Sequence, residues 1–285
     1  MMNDIQVLNI SYTAQNKKIL SDVSFTIKKE ECFALIGKNG SGKSTLIDIM
    51  MQDLKQDHGK VILPGESKTN FGVLYDHLPL MNSLKVKELL KYYCTLHKLL
   101  YCDIAKKYFD DFEITPIEES FIRTLSLGEK KRVSILLVIM HDPDYLILDE
   151  PFANIDPTIT ERIWKHLKRK GRTLFFTTHN WSDAEKRADK LVFMTKGELI
   201  GDPVSPVDAL RNLPAQKKLI FAHDESIEQS LGSNSYYVHD GNVVCFFEDD
   251  HELMSTIVQH TSNFSIQNVD LTDVYLYNQK AQLYD

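Results

Sequence analysis

Apolar residues follow two spacings along the chain, and these spacings separate predicted strands from predicted helices. Residues 3–10 and 20–27 alternate between apolar and polar side chains, with an Asn-Lys-Lys turn between them. This alternation predicts an antiparallel β layer at the start of the chain. Buried strands are predicted by short, uninterrupted apolar runs, which lie at residues 32–36, 71–74, 145–148 and 174–178.

Helical spacing appears between these strands, at residues 46–54, 84–112 and about 130–140. A hairpin is predicted over residues 191–200, and the prolines that follow mark a linker. After the linker, the hydrophobic pattern predicts short strands and helices, with a hairpin turn at 240–242. The pattern predicts an α/β fold with a main domain over residues 1–213 and a small α/β accessory domain over residues 214–285.

The composition is that of a soluble globular chain with a real core, since 43% of its 285 residues are hydrophobic and 26% are charged. The net charge of −7 argues against nucleic acid as the main partner, because phosphate backbones bind basic surfaces. The four cysteines show neither metal-type spacing nor a disulfide framework, and the N-terminus lacks a signal-peptide layout, so we expect a cytosolic location. No apolar stretch approaches about 20 residues, so membrane-spanning helices would have to come from another chain.

The strongest chemical motif is GKNGSGKST, a phosphate-loop pattern between a predicted buried strand and a predicted helix. Its glycines let backbone N–H groups curl around an anion, and the helix start adds free N–H groups and the positive end of a dipole. We expect Lys43 to reach the β and γ phosphates of a nucleotide and the Ser44 hydroxyl to bind Mg²⁺. The candidate nucleotide ligands are Gly37, Asn39, Gly40, Ser41, Gly42, Lys43, Ser44 and Thr45.

An acidic pair, Asp149 and Glu150, follows the apolar run at 145–148. One carboxylate of such a pair can hold Mg²⁺, and the next can polarise a water in line with the γ-phosphate. A strand-to-turn boundary would also place Asp and Pro here, but the phosphate loop favours the functional interpretation. His179 ends a later strand, where it is either structural or a hydrogen-bond partner for phosphate or water. Tyr12 ends the first strand and is either an edge-packing residue or a surface on which adenine stacks.

Over about residues 3–205 the chain resembles the ATPase subunits of ATP-binding cassette (ABC) transporters, because several motifs occur in the same order. GKNGSGKST resembles the Walker A motif, YLILDEP the Walker B motif with its catalytic glutamate at Glu150, and LSLGE the LSGGQ signature. The resemblance implies a RecA-like P-loop core with an antiparallel β layer and an α-helical subdomain, here over about residues 77–140.

Further positions match the same family pattern. Residues 153–156 fall at the D-loop, His179 at the switch histidine and Tyr12 at the adenine-stacking aromatic residue. The family pairs two cassettes head to tail, so that each ATP lies between one Walker A motif and the partner's signature. Ser126 and Gly128 precede a predicted helix and would form this second anion site.

One position departs from the family pattern in a way that bears on the chemistry. The family's Q-loop glutamine, which touches Mg²⁺ and the attacking water, would follow the strand at 71–74, and Asp76 stands there. Asp76 is either a surface turn residue or a hard oxygen ligand for Mg²⁺. In the second case the expected Mg²⁺ ligands are Ser44, Asp149 and Asp76. The signature also departs from the pattern, at Leu127 and Glu129.

Together the motifs predict an ATPase that binds ATP and Mg²⁺ and uses Glu150, His179 and Lys43 as catalytic residues. We expect it to form a homodimer on ATP and to drive a separate transmembrane permease from the inner face of the cell membrane. The C-terminal NVDLTDVYLY resembles the end of single-cassette exporter subunits. Two alternatives stay open: a soluble cassette ATPase that acts on ribosomes or DNA, and an ATP-gated binding module that scarcely turns over.

Overall fold

The chain forms two compact units. The computed structural model describes residues 3–65, 71–76, 80–223, 231, 235–248, 254–255, 257–258, 261 and 263–281. The first unit contains the residues up to Asn180 together with Arg187–Pro203, and the second contains Trp181–Lys186 and the residues from Val204 onward. The second unit thus includes two segments that the sequence pattern assigns to the main domain, residues 181–186 and 204–213.

The described residues up to 204 form nine strands. They are β1 (Ile5–Ala14), β2 (Lys17–Ile27), β3 (Cys32–Ile36), β4 (His58–Ile62), β5 (Phe71–Leu74), β6 (Tyr145–Leu148), β7 (Thr173–Thr178), β8 (Lys190–Thr195) and β9 (Glu198–Val204). The helices over the same length are α1 (Lys43–Met50), α2 (Val86–Leu96), α3 (Tyr101–Tyr108), α4 (Leu127–Ile139), α5 (Pro157–Leu167) and α6 (Trp181–Arg187).

Two sheets organise the first unit. Strands β2, β1 and β4 form an antiparallel sheet in that order, which confirms the predicted β layer. The second sheet has the order β5-β6-β7-β3-β8-β9, and its first four pairs are parallel. Strands β3, β6 and β7 are buried along their whole length, which explains why they appear in the sequence as uninterrupted apolar runs.

The main hydrophobic core contains side chains from both sheets and from α1. Phe25, Phe33 and Phe175 stack at its centre, with ring centroids between 5.2 and 6.1 Å apart. Full burial of an aromatic side chain contributes about 1.5–3 kcal/mol, so this cluster holds the β layer firmly against the parallel sheet.

A helical region follows β5 and ends with α4. The predicted helical stretch over 84–112 is in fact two helices, because Lys98 adopts a left-handed backbone (φ 56°) between α2 and α3. Leu96 and Leu100, which flank this break, are 58% and 66% exposed, so the apolar face does not continue through it. Helix α4 starts at Leu127, before the predicted Lys130, because the Ser126 hydroxyl caps it by accepting the Glu129 N–H at 3.3 Å.

The parallel strands bring several candidate residues to one edge of the sheet. Strands β3, β5, β6 and β7 run in the same direction, and their carboxyl ends are followed by Gly37, Tyr75, Asp149 and His179. Their registers align Leu74 with Leu148 and Ile36 with Thr178. Ligands of open α/β sheets bind at this carboxyl edge, so the sheet itself assembles the site.

The second unit has its own antiparallel sheet and its own core. Strands β10 (Lys217–Ala222), β11 (Tyr236–His239), β12 (Asn242–Phe247) and β13 (Phe264–Asn268) lie in the order β11-β12-β10-β13, and helices α7 (Pro206–Arg211) and α8 (Leu271–Ala281) accompany them. Leu219, Phe221 and Val243 are among the buried core residues. The predicted hairpin turn at 240–242 is confirmed. Most of the predicted helix over 250–260 lies outside the described residues.

A buried ion pair distinguishes the second unit. The Lys218 ammonium lies 2.7 Å from a carboxylate oxygen of Asp273, and Asp273 is fully buried. Tyr237 also donates its hydroxyl to Asp273, at 2.6 Å. Within the part of the chain that is described, no helix is both long and apolar enough to cross a membrane.

Candidate functional site

The phosphate loop connects β3 directly to α1. The Gly37 N–H donates to the Thr178 carbonyl at 3.2 Å, which ties the start of the loop to the end of β7. Gly42 caps α1 with a φ of 109°, and a Cβ there would lie 2.8 Å from the Leu20 side chain. A larger residue is therefore excluded at Gly42 both by backbone conformation and by space. The loop predicted from the sequence is present, with the N-terminus of α1 at its end.

Lys43 extends back across this loop. Its ammonium donates to the Gly37 carbonyl at 2.7 Å and to the Lys38 carbonyl at 3.3 Å, and the residue is only 5% exposed. The Ser41 hydroxyl is buried and has no hydrogen-bond partner among the described residues. Buried polar atoms usually have partners, so this orphaned hydroxyl indicates that the loop is shaped to receive a polar group. Asn39, Gly40 and Ser44 are exposed around it, and Thr45 is half-buried.

The acidic pair at the end of β6 is held by Thr177 on β7. The Asp149 carboxylate accepts a short hydrogen bond from the Thr177 hydroxyl, and this hydroxyl in turn accepts the Glu150 N–H at 3.0 Å. The Asp149 N–H donates to the Leu74 carbonyl at 2.8 Å, and Asp149 is 2% exposed. Thr177 is therefore a positioning residue that sequence reasoning missed, because its link to Asp149 depends on the pairing of β6 with β7.

Glu150 lies between two groups that the sequence predicts to be catalytic. One carboxylate oxygen, Oε1, lies 3.2 Å from the Lys43 ammonium, and the other, Oε2, lies 2.8 Å from Nδ1 of His179. Oε1 is buried and accepts no hydrogen bond from the described residues, so its contact with Lys43 is a charge contact only. The Glu150 side chain is 13% exposed and that of His179 is 53% exposed. The structure thus brings Lys43, Glu150 and His179 together.

Asp76, at the end of β5, faces a lysine that the sequence analysis did not single out. The Lys131 ammonium of α4 lies 3.7 Å from the Asp76 carboxylate and donates to the Asp149 carbonyl at 3.1 Å. Burial lowers the Lys131 pKa, while the negative charges of Asp76, Asp149 and Glu150 oppose that shift. Asp76 and Lys131 border a cleft of about 520 Å³ that is also lined by Lys130 and Asn154.

The signature segment caps α4 through its own side chains. The Ser126 N–H and hydroxyl both donate to the Glu129 carboxylate, each at 2.8 Å, which completes a capping box. The backbone N–H of Ser126 lowers the Glu129 pKa. Gly128 lies inside the first turn of α4, where a Cβ would meet the Asn154 carbonyl oxygen at 2.3 Å. The signature therefore packs directly against the segment that follows the acidic pair.

Tyr12 is half-buried on β1 and packs against the main core. It pairs across the antiparallel sheet with Leu20, whose side chain crowds the Cβ position of Gly42. The ring therefore belongs to the part of the β layer that borders the phosphate loop. Among the described residues, no group of three or more His, Cys, Asp or Glu side chains could hold a metal ion by itself. A metal here would need ligands of other kinds, such as the Ser44 hydroxyl and phosphate oxygens.

The chain is similar in sequence to a family of known proteins. A family model described as "ABC transporter" matches residues 20–153. An uncharacterized ABC transporter ATP-binding protein of Methanocaldococcus jannaschii is 30% identical over 70% of this chain and 77% of its own length. The linearmycin resistance ATP-binding protein LnrL of Bacillus subtilis is 30% identical over 69% of this chain and 68% of its own length.

The chain belongs to the ABC transporter family. It spans only 30% of the length of another relative, ABC transporter G family member 23 of Dictyostelium discoideum. A solved structure described as the ATP-binding subunit of an ABC transporter has a TM-score of 0.64 and 24% identity, and the match covers 73% of this chain and 92% of that one. This likeness confirms the predicted RecA-like P-loop fold. Like the two relatives of similar length named above, the chain is an ATP-binding subunit of the ABC transporter family.

Proposed function

We propose that the first unit hydrolyses ATP at the carboxyl edge of its parallel sheet and that two copies of the chain cooperate to drive a membrane partner. The observation that carries this proposal is the position of Glu150. Its carboxylate lies between the Lys43 ammonium and the His179 ring, and its Oε1 atom accepts no hydrogen bond from the described residues. A carboxylate oriented in this way is suited to accept a proton from water once the Lys43 ammonium turns to the phosphates.

The phosphate loop supplies the binding energy for the nucleotide in this proposal. Backbone N–H groups from Gly37 to Thr45 and the N-terminus of α1 surround the β and γ phosphates. The ammonium of Lys43 exchanges its contacts with the loop carbonyls for the phosphate oxygens. The aromatic ring of Tyr12 stacks on the adenine.

The oxygen atoms around the loop fit Mg²⁺, which prefers hard oxygen ligands. Asp149 has a buried carboxylate that Thr177 orients, and Ser44 presents an exposed hydroxyl at the start of α1. Ser44, Asp149 and Asp76 would hold the ion, either directly or through water. Bound there, the ion would offset the negative charge of the β and γ phosphates.

The chemical step then uses residues from the ends of β6 and β7 and from the start of α1. Glu150 draws a proton from the attacking water, His179 fixes the Glu150 carboxylate through its Nδ1 contact, and Lys43 stabilises the charge that develops on the γ-phosphate. Because Asp149 is held by Thr177 and by the Leu74 carbonyl, it cannot easily replace Glu150 as the base.

The pairing of two chains follows from the second anion site. Ser126 and Gly128 lie at the start of α4, where a phosphate would take the place of the Glu129 carboxylate on the Ser126 N–H and hydroxyl. We infer that this end of α4 contacts the γ-phosphate held by the phosphate loop of a second copy. The dimer would then transmit its closure to a separate membrane-spanning permease, which would keep the chain at the inner face of the membrane.

The test is the turnover of the variant Glu150→Gln. It keeps the shape of the side chain but removes the base, so we expect turnover to fall by about a hundredfold or more while ATP still binds. We also expect a nucleotide-bound dimer to accumulate on a sizing column. Glu198→Gln is the matched control, because Glu198 is an exposed carboxylate on β9.

Two outcomes would contradict the proposal. Near-normal turnover in Glu150→Gln would remove Glu150 from the mechanism. ATP binding by the wild-type chain without measurable turnover would favour the ATP-gated binding module instead.

A further inference from the structure

Near the start of α4, the side chain of Lys131 reaches the ends of two strands of the parallel sheet. The Lys131 ammonium donates to the Asp149 carbonyl at 3.1 Å and lies 3.7 Å from the Asp76 carboxylate. The Lys131 side chain is 11% exposed, whereas that of Asp76 is 51% exposed. One amine thus joins the end of β5, the end of β6 and the helix that begins at the signature.

The place of this amine matters because negative charge accumulates around it. Asp76, Asp149 and Glu150 all lie close enough to Lys131 to act on its charge. The phosphates of ATP would add further negative charge at the same edge. An aspartate at position 76 is unfavourable there unless a cation offsets it.

We propose that Lys131 is a positioning residue that offsets the charge of Asp76 and fixes the start of α4 relative to the acidic strand ends. This inference rests on the proposed function, since it concerns the same nucleotide site. In this role Lys131 contacts neither the attacking water nor the phosphates. It acts by holding Asp76 in place and by keeping the carbonyl of Asp149 satisfied.

A simpler role for Lys131 would be to cap the Asp149 carbonyl alone. The two roles differ in whether Lys131 and Asp76 are energetically coupled. If Lys131 only caps the carbonyl, replacing Asp76 leaves the effect of a Lys131 substitution unchanged. If Lys131 also offsets Asp76, the two effects depend on each other.

The first experiment measures this coupling in the full-length protein without nucleotide. Urea unfolding is followed for the wild type, Lys131→Met, Asp76→Asn and the double variant. Because Asp76 is half exposed, we expect a coupling of about two- to fivefold in the unfolding equilibrium constant. The cycle of Lys130→Met with Asp76→Asn is the matched control, since Lys130 lines the same cleft and forms no ion pair with any described residue.

The second experiment measures steady-state ATP turnover of the same proteins. Lys131→Met should lower kcat by about ten- to a hundredfold, the range for a misplaced site, and leave the KM for ATP nearly unchanged. The fall in kcat caused by Lys131→Met should be severalfold smaller in the Asp76→Asn background than in the wild type, because no charge at position 76 is then left without compensation. Lys131→Gln provides a second route if the Met variant fails to fold, because a glutamine can still donate to the Asp149 carbonyl.

Strictly multiplicative effects in both cycles would overturn the proposal and leave Lys131 as a carbonyl cap. Equal effects of Lys130→Met and Lys131→Met would also overturn it. The unfolding cycle needs no turnover, so coupling in a wild-type protein that lacks ATPase activity would support the Lys131–Asp76 link while refuting the proposed function.

Discussion

The buried ion pair of the second unit offers a quantitative test of what holds that unit together. Asp273 is fully buried, and its carboxylate accepts hydrogen bonds from the Lys218 ammonium at 2.7 and 3.0 Å, the Tyr237 hydroxyl at 2.6 Å and the Asp270 N–H at 2.6 Å. The variant Asp273→Asn keeps the size of the side chain and removes its charge. It leaves Lys218, which is 5% exposed, with less compensation for its own charge.

The expected loss can be estimated from these contacts. Removing one partner of a buried ion pair usually costs about 3–5 kcal/mol, because the remaining charge is left without compensation. Here Asp270 stays 3.0 Å from the Lys218 ammonium, so we expect a smaller loss of about 2–3 kcal/mol. Replacing both charges, as in Lys218→Met with Asp273→Asn, should cost much less, because no buried charge then remains and the asparagine amide oxygen can still accept the Tyr237 hydroxyl.

Tryptophan fluorescence can follow the second unit selectively. The chain has two tryptophans, and Trp181 packs against Tyr275 with ring centroids 4.8 Å apart. In a Trp164→Phe background, urea unfolding monitored through Trp181 reports on this unit. With a slope of about 1–3 kcal/mol per molar urea, the midpoint of Asp273→Asn should fall by about 0.7–3 M. A midpoint shift below about 0.3 M, or an equal loss in the double variant, would refute the reasoning.

The same pair should show a defined pH dependence. Burial opposes the charge of Lys218, but its hydrogen bonds to Asp273 and Asp270 outweigh burial and raise the Lys218 pKa above its ordinary value of 10.5. A group whose pKa is raised on folding stabilises the folded state fully below its unfolded pKa. The stability difference between wild type and the double variant should therefore be constant near neutral pH and shrink as the pH rises above about 10.5.

Two further predictions concern the first unit. Gly128→Ala should lower turnover by about ten- to a hundredfold with little change in ATP affinity. The reason is that the added Cβ would lie 2.3 Å from the Asn154 carbonyl oxygen and must displace that segment by about 1 Å. Steady-state kinetics with Lys130→Ala as the control would check this, and unchanged turnover in Gly128→Ala would contradict it. A chain that ends at Leu213 keeps the phosphate loop and both acidic strand ends, so it should still bind ATP in calorimetry. A folded but non-binding truncation would show that the C-terminal residues contribute to the nucleotide site.

Local sequence patterns predicted the parts of the site that lie at strand ends. A buried strand of a parallel sheet needs apolar side chains on both faces, so it appears as a short apolar run that is easily recognised. The residues just after such runs, Gly37, Asp149 and His179, then fall at one edge of the sheet. Glu150 was found for the same reason, because it directly follows Asp149.

Contacts between distant parts of the chain could not be predicted in this way. Thr177 lies within an ordinary strand sequence, and its link to Asp149 depends on which strand pairs with β6. Lys131 stands in a basic stretch of α4, and the direction of its side chain depends on how that helix packs. Trp181 belongs to the second unit, where its ring packs against Tyr275, and no local pattern indicates that pairing.

The backbone at Glu150 has a consequence for how this site can change over generations. Glu150 adopts a left-handed conformation with φ of 46°, which costs a residue with a side chain about 1 kcal/mol relative to glycine. Random substitution under selection for folding alone would therefore drift toward Gly or Asn at this position. A descendant that no longer needed turnover would gain stability by losing its carboxylate.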